Sequence, residues 1–525
     1  AGCAICEKAL LSWSTMKILY SVASLLLLVR VHPVLAFSID ASAEVAAARP
    51  DFEVEFDLDA ESKAQWGGYV GSRSDRPVLE GRSGSMGMKI RPLGGTKIKS
   101  AAPMSTVLTP EGFNFGRGTA YVTTQDVEEG DELLSLPMSQ VMSVGSASRG
   151  RVGLLLEANP DLPPAIALGL HLLEERALGA ASNFSEFVSA LPTADSINST
   201  LFYSEEELKE MEGSQLQRFT LGRAQAVETF YDALAQPVTS REAVDPPIFK
   251  KEEFTLDKFR WAMGVVWSST FQYGQTEDEV VLAPVLDTIG ICTELDEEDN
   301  EACPETRIKM DTSTQRLVVY ASVSYSKGQE VRLSMPRKSS THLMLNNGFA
   351  RARASKLDKV DLTVTLDPSD TLAPLKNYLL QTQLNETVNA TYGFFYGSSK
   401  IDDAISTSLK MKLLSGAELS RYKELLTPTE DEEERRIVSL RNEFVFTRAV
   451  ISTCTTLLKQ YPTTIEQDQK TLAGLSYKDD VRSIRKAHVQ RVLIMEKQIL
   501  NETMGLALEQ WKGLVFSSNP NLQEV

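Results

Sequence analysis

The stretch Ala321–Leu333, which reads ASVSYSKGQEVRL, decides how the middle of this chain folds. Its pattern is strand-like on both sides of Ser326-Lys327-Gly328, a sequence typical of a turn. We therefore predict one strand over Arg316–Ser324 and a second over Gln329–Leu333, joined by that turn.

Upstream of this stretch, the sequence predicts a β-rich segment that begins near Ser105 and is followed by helices. Ser204 precedes three glutamates and is predicted to cap a helix, because its hydroxyl can accept a hydrogen bond from a free backbone N–H. The predicted strands are Ala120–Val122 and Glu132–Leu136, and the predicted helices are Ala165–Ala177, Glu205–Arg218 and Leu256–Phe271.

Downstream, the tail beyond about Thr371 reads almost wholly helical. From Asp479 to Trp511, apolar residues such as Ile484 and Ile499 are interleaved with charged ones. This spacing predicts one long amphipathic helix.

The length and charge of the chain limit its function. A chain of 525 residues exceeds one ordinary core, so we expect two domains plus extensions. The net charge of -17 argues against a nucleic-acid surface, which needs a basic stripe. It is compatible with a basic partner, such as a lysine-rich protein segment. No cluster of His, Cys and carboxylates has the spacing of metal ligands, so no metal site is predicted.

The N-terminal residues resemble a targeting leader. Lys17 precedes an apolar run, Ile18–Val29, and Val34-Leu35-Ala36 has the small-residue pattern of a signal-peptide cleavage site. The run is too short for a membrane span and no second one follows, so we expect entry into the secretory pathway and a mature chain without a span. Phe37, directly after the predicted cut, leaves a plastid leader as the less favoured alternative, since acidic residues follow it.

Three cysteines follow this leader. Cys292 and Cys303 bracket an acidic loop, and an oxidising lumen would let them form a disulfide. Two free thiols are the equal alternative. The third cysteine is Cys454.

Several blocks between about residues 105 and 515 share an order and a spacing with one protein family. They are Phe115–Ala120, Val127–Pro137, Phe187–Pro192, Tyr203–Leu208, Ala321–Leu333, Leu343–Phe349, Tyr461–Asp468 and Arg491–Leu500. Together they resemble SET-domain protein-lysine methyltransferases of the Rubisco large-subunit methyltransferase (LSMT) type. The first two blocks resemble the opening of SET domains, where glycines let the backbone approach S-adenosylmethionine closely. The last two are similar to the family's helical substrate-binding domain.

The resemblance implies an α+β fold, with a β-rich SET core that carries a helical insert, followed by an all-α C-terminal domain. It places the SET domain at residues 105–352, with the insert at about 150–260, and the Rubisco-methyltransferase-type substrate-binding domain at 353–525. Residues 1–36 are then upstream residues and the signal-like leader. Residues 37–104 are low in apolar periodicity and rich in Gly, Ser and acidic residues, which predicts a linker or a loosely attached arm.

The resemblance also implies a set of site residues. In the family, an Asn-His pair and an Arg hold the cofactor, and a tyrosine orients the substrate amine. The positions at which this chain keeps the family's cofactor-binding residues are Gly116, Arg117, Gly118 and Asp287. The positions at which it departs are Ser269 for the Arg, Gly290 and Ile291 for the Asn and His, and Met335 for the catalytic tyrosine.

Two functions follow from these residues. The first is the activity of the family, S-adenosylmethionine-dependent N-methylation of lysine, or histidine as in one animal branch, in a protein substrate. The second is a non-catalytic SET-fold protein-binding module, a pseudoenzyme that needs no cofactor. Because a methyl-transfer site depends on positioning the amine, four changed positions argue against catalysis and favour the second function.

Overall fold

A computed structural model of the chain describes residues 107–114, 118–241, 246–274, 279–286, 289, 291–292, 307–334, 338–367, 369–426, 437–475 and 481–518. The predicted leader at 1–36 and the predicted linker or arm at 37–104 lie outside these residues.

The described residues form short strands and longer helices. The strands are β1 Leu108–Asn114, β2 Gly118–Thr123, β3 Glu132–Pro137, β4 Met142–Ser143, β5 Thr270–Gln272, β6 Val280–Leu282, β7 Ile291–Cys292, β8 Arg307–Asp311, β9 Arg316–Tyr320, β10 Glu330–Val331, β11 Leu333–Ser334, β12 Lys359–Thr365 and β13 Asn389–Phe395. The α-helices are α1 Val144–Ala147, α2 Val152–Ala158, α3 Pro164–Leu178, α4 Ser185–Ala190, α5 Glu205–Lys209, α6 Gln215–Thr239, α7 Leu256–Ser269, α8 Ser340–Asn347, α9 Ala373–Leu384, α10 Asp403–Lys412, α11 Leu440–Leu458, α12 Ile465–Gly474 and α13 Val481–Ser518.

Small sheets make up the β-rich part of the fold. Three of them have the strand orders β1-β2-β10, β3-β9-β8 and β4-β6-β5, and their neighbouring strands are antiparallel. The short strands β7 and β11 pair in parallel. One apolar core lies between these sheets, with Leu134, Leu136, Val281, Leu317 and Val331 among its buried side chains.

The predicted strand–turn–strand stretch is confirmed, although its strands are shorter and join different sheets. β9 pairs with β3 and β8, whereas β10 pairs with β2. Gly328 has a φ of +82°, a conformation that glycine adopts without steric cost, and its N–H donates to the carbonyl of Thr123 at 2.8 Å. The turn therefore carries the chain from one sheet to another, because β9 and β10 pair with different strands of the N-terminal segment, β3 and β2.

Helices α1 to α7 lie in and around the insert predicted at about 150–260, and an apolar core there includes Leu168, Leu170, Phe259 and Val265. Ser204 caps α5 as predicted, in a reciprocal capping box with Glu207. The helix predicted over Glu205–Arg218 is instead divided into α5 and α6. Gly213, at φ +81°, breaks it there, and Ser214 caps the new helix.

The predicted helical C-terminal region is confirmed, and the structure adds one β-hairpin to it. Helices α9 to α13 are accompanied by β12 and β13, which pair antiparallel from Lys359↔Phe395 to Thr365↔Asn389. The segment predicted as all-α thus contains two strands. The cause is a period of two in β12, where Val360, Leu362 and Val364 are buried and the residues between them are half-buried.

Helix α13 ties the C-terminal region to the insert. The Arg485 guanidinium lies 3.2 Å from the Glu207 carboxylate and 4.9 Å from the centroid of the Tyr203 ring. The buried Glu496 carboxylate accepts hydrogen bonds from the N–H groups of Gln215 and Leu216 at the start of α6. The insert and the last helix are therefore joined by charged and hydrogen-bonded contacts as well as by apolar packing.

The described ranges contain neither a helix suited to span a membrane nor a cluster of side chains suited to hold a metal ion. Within them, no helix combines the length and apolar content needed to cross a bilayer. The same residues contain no group of three or more His, Cys, Asp or Glu side chains arranged to hold a metal ion.

Candidate functional site

The parallel pair β7–β11 brings together two segments that the sequence predicted to carry site residues. Leu333 pairs with Ile291, and Ser334 pairs with Cys292. Paired strands lie about 4.8 Å apart, so Ile291, at the family's histidine position, lies next to the segment that leads directly into Met335. Asp287, Gly290 and Met335 themselves fall outside the described residues, as does Cys303, the predicted partner of Cys292.

The third predicted segment ends helix α7. This helix forms because Thr255 caps it and a continuous apolar face, including Phe259 and Val266, packs into the insert core. Its last residue is Ser269, which is only 6% exposed. The Ser269 hydroxyl lies 3.3 Å from the Ser268 hydroxyl, which in turn donates to the carbonyl of Val265 at 3.2 Å.

Helix α8 connects these segments. It begins five residues after Met335 and is capped by Ser339, which accepts a hydrogen bond from the N–H of His342. At its other end, the Asn347 side chain donates to the carbonyl of Ser268 at 3.0 Å. The end of α7, with Ser269, is therefore fixed against the helix that follows the predicted catalytic position.

The closing Asn-Gly-Phe block depends on a glycine. Gly348 has a φ of +75°, and a Cβ at this position would overlap the carbonyl of Asn198 in the insert. The Gly348 N–H donates to the carbonyl of Leu343 at 3.0 Å, which ends α8 in a left-handed turn. This glycine lets the chain leave α8 while staying packed on the insert.

The opening glycine block is only partly described. Gly118 begins β2, where it pairs with Asn114, whereas Gly116 and Arg117 lie outside the described residues. Strand β2 also pairs with β10, so the opening block is next to the end of the Ala321–Leu333 stretch. These two blocks, about 200 residues apart in sequence, are thus neighbours in space.

The charged groups that act on His342 in α8 are mostly basic. Burial lowers the pKa of His342, and the nearby Lys338 lowers it further. Lys359 and Arg223 act in the same direction, and Asp361 acts against them. Three cations and one carboxylate thus act on this imidazole.

The other two histidines in the described residues, His171 and His488, are buried and hydrogen-bonded within the fold. The Nε2 atom of His171 lies 2.9 Å from the Ser146 hydroxyl inside the insert. The Nδ1 atom of His488 accepts a hydrogen bond from the N–H of Ala350 at 2.9 Å, and burial lowers its pKa to about 3. A neutral, buried imidazole of this kind stabilises the contact between α13 and the end of the SET segment.

Comparison with known proteins identifies the family. Residues 367–500 match the family model described as Rubisco LSMT substrate-binding. In solved structures, the SET domain of LSMT bound to lysine and AdoHcy superimposes with a TM-score of 0.62 at 22% identity, covering 78% of this chain and 88% of that one. The chain is a Rubisco LSMT-like SET-domain protein. The α+β fold predicted from sequence is that of these structures.

Curated relatives agree with this assignment. The chain is 24% identical to the Rubisco large subunit N-methyltransferase, chloroplastic, of Pisum sativum, over 68% of this chain and 70% of the relative. It is 26% identical to the [fructose-bisphosphate aldolase]-lysine N-methyltransferase, chloroplastic, of Arabidopsis thaliana, over 73% of this chain and 75% of the relative. The family is one of S-adenosylmethionine-dependent methyltransferases that act on proteins.

Sequence reasoning missed two features near the site. Arg223 reaches from α6 to α8, and nothing in its local sequence indicates this contact. Glu496 lies in the buried face of α13, and here a signal existed, because a single glutamate interrupts the apolar positions of that helix.

Proposed function

We propose that this chain is a SET-fold module that binds a partner protein without transferring a methyl group. The observation that carries the proposal is the buried Ser269 at the end of α7, where the resemblance calls for an arginine. Its short side chain contacts the Ser268 hydroxyl and carries no charge with which to meet the cofactor's carboxylate.

The other three positions support the same conclusion. Gly290 has no side chain, and Ile291 has no hydrogen-bonding group, so neither reproduces an Asn-His pair. A thioether such as that of Met335 donates no hydrogen bond and cannot hold an amine as a tyrosine hydroxyl does. A charge-assisted contact is worth about 1.5–3 kcal/mol and a neutral one about 1 kcal/mol, so losing all three cofactor contacts weakens cofactor binding on the order of a thousandfold or more. Losing the orienting group commonly lowers the rate by about 10²–10⁴.

The second candidate is methyl transfer to a lysine or histidine of a protein. The observation in its favour is the pairing β7–β11 and β2–β10, which keeps the segments of the site together. In that case S-adenosylmethionine supplies the methyl group, and the residues that would hold it are Gly116, Arg117, Gly118, Ser269, Asp287, Gly290 and Ile291. Met335 then stands where the family has its tyrosine.

Calorimetric titration of the full-length chain with S-adenosylmethionine tests the proposal. We expect no binding at millimolar cofactor by protein whose circular dichroism and cooperative unfolding show that it is folded. Micromolar binding would overturn the proposal, and a methylation assay on candidate proteins would follow.

A restored variant provides the matched control. It combines Ser269→Arg, Gly290→Asn, Ile291→His and Met335→Tyr. We expect this variant, if folded, to bind the cofactor more tightly than the native chain by a factor of about a thousand, because the missing contacts return. Equal binding by both proteins would show that these four positions do not set the affinity.

We also propose that residues 1–36 direct the chain into the secretory pathway, with onward delivery to a plastid as the alternative. The plant relatives named above are chloroplastic, which favours keeping that alternative. A reporter fused after Ser100 distinguishes the destinations, and its retention in the cytosol would overturn the leader. The proposed boundary at 352/353 leaves the match at 367–500 inside the C-terminal segment.

A further inference from the structure

Arg223 lies where three helices meet. It projects from α6, and its Nη1 atom donates to the carbonyl of Leu345 at 3.0 Å and to the side-chain oxygen of Asn346 at 2.7 Å in α8. Its guanidinium carbon lies 4.5 Å from the centroid of the Trp267 ring in α7. Two hydrogen bonds and the contact with the face of one ring therefore restrain this half-buried guanidinium.

No carboxylate in the described part of the chain pairs with Arg223. None of the described Asp or Glu carboxylate oxygens lies within 4.0 Å of its guanidinium nitrogens, the distance that an ion pair requires. Burial alone lowers the pKa of the guanidinium to about 10, so the group remains charged at neutral pH. A half-buried cation of this kind carries a desolvation cost that an anion would offset.

The free edge of the guanidinium has a defined shape. Nη1 uses both of its hydrogens on α8, and none of the described residues accepts a hydrogen bond from Nε or Nη2. These two atoms form a planar fork that matches the two oxygens of a carboxylate. The contact with the Trp267 ring and the two hydrogen bonds to α8 restrain this fork in advance, which reduces the entropy lost when an anion binds.

The surroundings favour an anion. The imidazole of His342 in α8 is acted on by three cations, Arg223, Lys338 and Lys359, and the carboxylate that acts on it, Asp361, is paired with Lys359 at 2.8 Å. The net charge of -17 is compatible with a basic partner, but the charges that act on His342 are mostly positive. Local charge decides which group docks here, because charges further away than about 10 Å are screened by salt.

We propose that Arg223 anchors a carboxylate-binding site that takes an aspartate or glutamate side chain of a partner protein. The proposal rests on the proposed protein-binding function for the choice of a protein ligand. It does not depend on the cofactor cleft. Trp267 and Ser269 are two residues apart on α7 and therefore project about 200° apart, which places the site on the other side of this helix from Ser269.

Fluorine NMR of the full-length chain, labelled with 5-fluorotryptophan, tests this assignment. The chain has five tryptophans, and Trp267→Phe identifies the resonance of Trp267. The probe is an acetylated, amidated peptide with the sequence (Glu-Gly)3, and its uncharged match is (Gln-Gly)3. We expect the glutamate peptide to shift the Trp267 resonance in a saturable way and the glutamine peptide to leave it unchanged. Equal shifts with both peptides would overturn the proposal.

The decisive variant is Arg223→Lys. It keeps the positive charge but not the planar fork, and we expect it to weaken binding of the glutamate peptide by about 10- to 100-fold. Unchanged affinity in a variant whose other tryptophan resonances match the native chain would refute the anchor. If Arg223→Lys fails to fold, Trp267→Leu provides the second test, read by calorimetry, because it removes the ring that orients the fork and leaves Arg223 in place.

A second contact between an arginine and a tryptophan of α7, in which the arginine projects from α3, gives a matched control. Arg176 lies 4.1 Å from the centroid of the Trp261 ring, but its side chain is exposed and the cavity beside it is also lined by Glu175 and Asp257. We expect Arg176→Lys to leave peptide binding unchanged. A loss of binding as large as that of Arg223→Lys would place the peptide elsewhere.

Two further binding measurements distinguish a protein carboxylate from a free small-molecule carboxylate, and the Arg223 anchor from the proposed non-catalytic function. Free glutarate that binds as tightly as the peptide would overturn the assignment to a protein side chain. S-adenosylmethionine binding by the native chain would overturn the non-catalytic function and leave the Arg223 anchor standing. Absence of peptide binding, together with absence of cofactor binding, would refute the anchor alone.

Discussion

The buried Glu496 carboxyl makes the stability of the chain depend on pH. It accepts hydrogen bonds from the Tyr461 hydroxyl at 2.7 Å and from the N–H groups of Gln215 and Leu216 at 3.1 and 3.3 Å. Burial nevertheless dominates and raises the pKa of Glu496 from 4.5 to about 7. The native state therefore binds this proton more tightly than the unfolded state does.

The direction and size of the effect follow from proton linkage. Between pH 4.5 and about 7 the native state holds more protons, so the free energy of unfolding falls as the pH rises and then stays low above pH 7. Each tenfold difference in proton affinity is worth about 1.4 kcal/mol, so the full loss is about 3 kcal/mol. Over the interval from pH 5.5 to 8, which avoids the isoelectric point near 5.0, the expected loss is about 2 kcal/mol.

The variant Glu496→Gln isolates this contribution. Glutamine has nearly the same shape and its carbonyl can still accept from the start of α6, but it does not titrate. Urea unfolding, followed by circular dichroism, measures both proteins across the pH interval. We expect the stability of the variant relative to the native chain to increase by about 2 kcal/mol from pH 5.5 to 8.

The experiment has a matched control variant and an outcome that would refute the reasoning. Glu509 is exposed on the same helix, and Glu509→Gln serves as the control because it makes the same substitution outside the buried contacts of Glu496. Parallel pH profiles for Glu496→Gln and the native chain would refute the reasoning, because they would mean that Glu496 titrates alike in the folded and unfolded states.

Other predictions concern the contacts that hold the site in place. Arg485→Leu leaves Glu207 unpaired at a contact where both side chains are only 11% exposed, and we expect it to lower the free energy of unfolding by about 3 kcal/mol or more. Lys400→Leu, at an exposed ion pair, should cost less than about 1 kcal/mol, and urea unfolding compares the two. Gly348→Ala should destabilise the chain by more than Gly328→Ala, for which about 1 kcal/mol is expected, since both have positive φ but only Gly348 lies against a neighbouring carbonyl. Equal losses for the two glycines in thermal unfolding would contradict this explanation.

Much of the fold could be predicted because its signals are local. The apolar spacing of α13 and the capping box at Ser204 are each contained in a few neighbouring residues, and both elements formed where expected. The hairpin of β12 and β13 carried a local signal too, the alternation at Val360, Leu362 and Val364, but it was overlooked inside a tail read as helical. The break between α5 and α6 had a weaker signal, since the positive φ of Gly213 and its packing against Gln460 are evident only in the folded chain.

The candidate site divides in the same way. The sequence, through its resemblance to one family, named Ser269, Ile291 and Met335 as members of a single site. The structure brings two of the segments together in the β7–β11 pair and fixes the third through Asn347. It leaves the roles of these residues as predictions to be tested by cofactor binding.

The sequence by itself determined most of the helices and strands and the resemblance to the family, because helical and strand periodicities, caps and turns depend on residues close together in the chain. Only the tertiary structure decided the charge environment of Arg223 and Glu496. The groups that contact each of these side chains lie far away in sequence. Burial in the assembled fold then lowers the pKa of Arg223 and raises that of Glu496. Desolvation and pairing are properties of the assembled fold, and no local pattern records them.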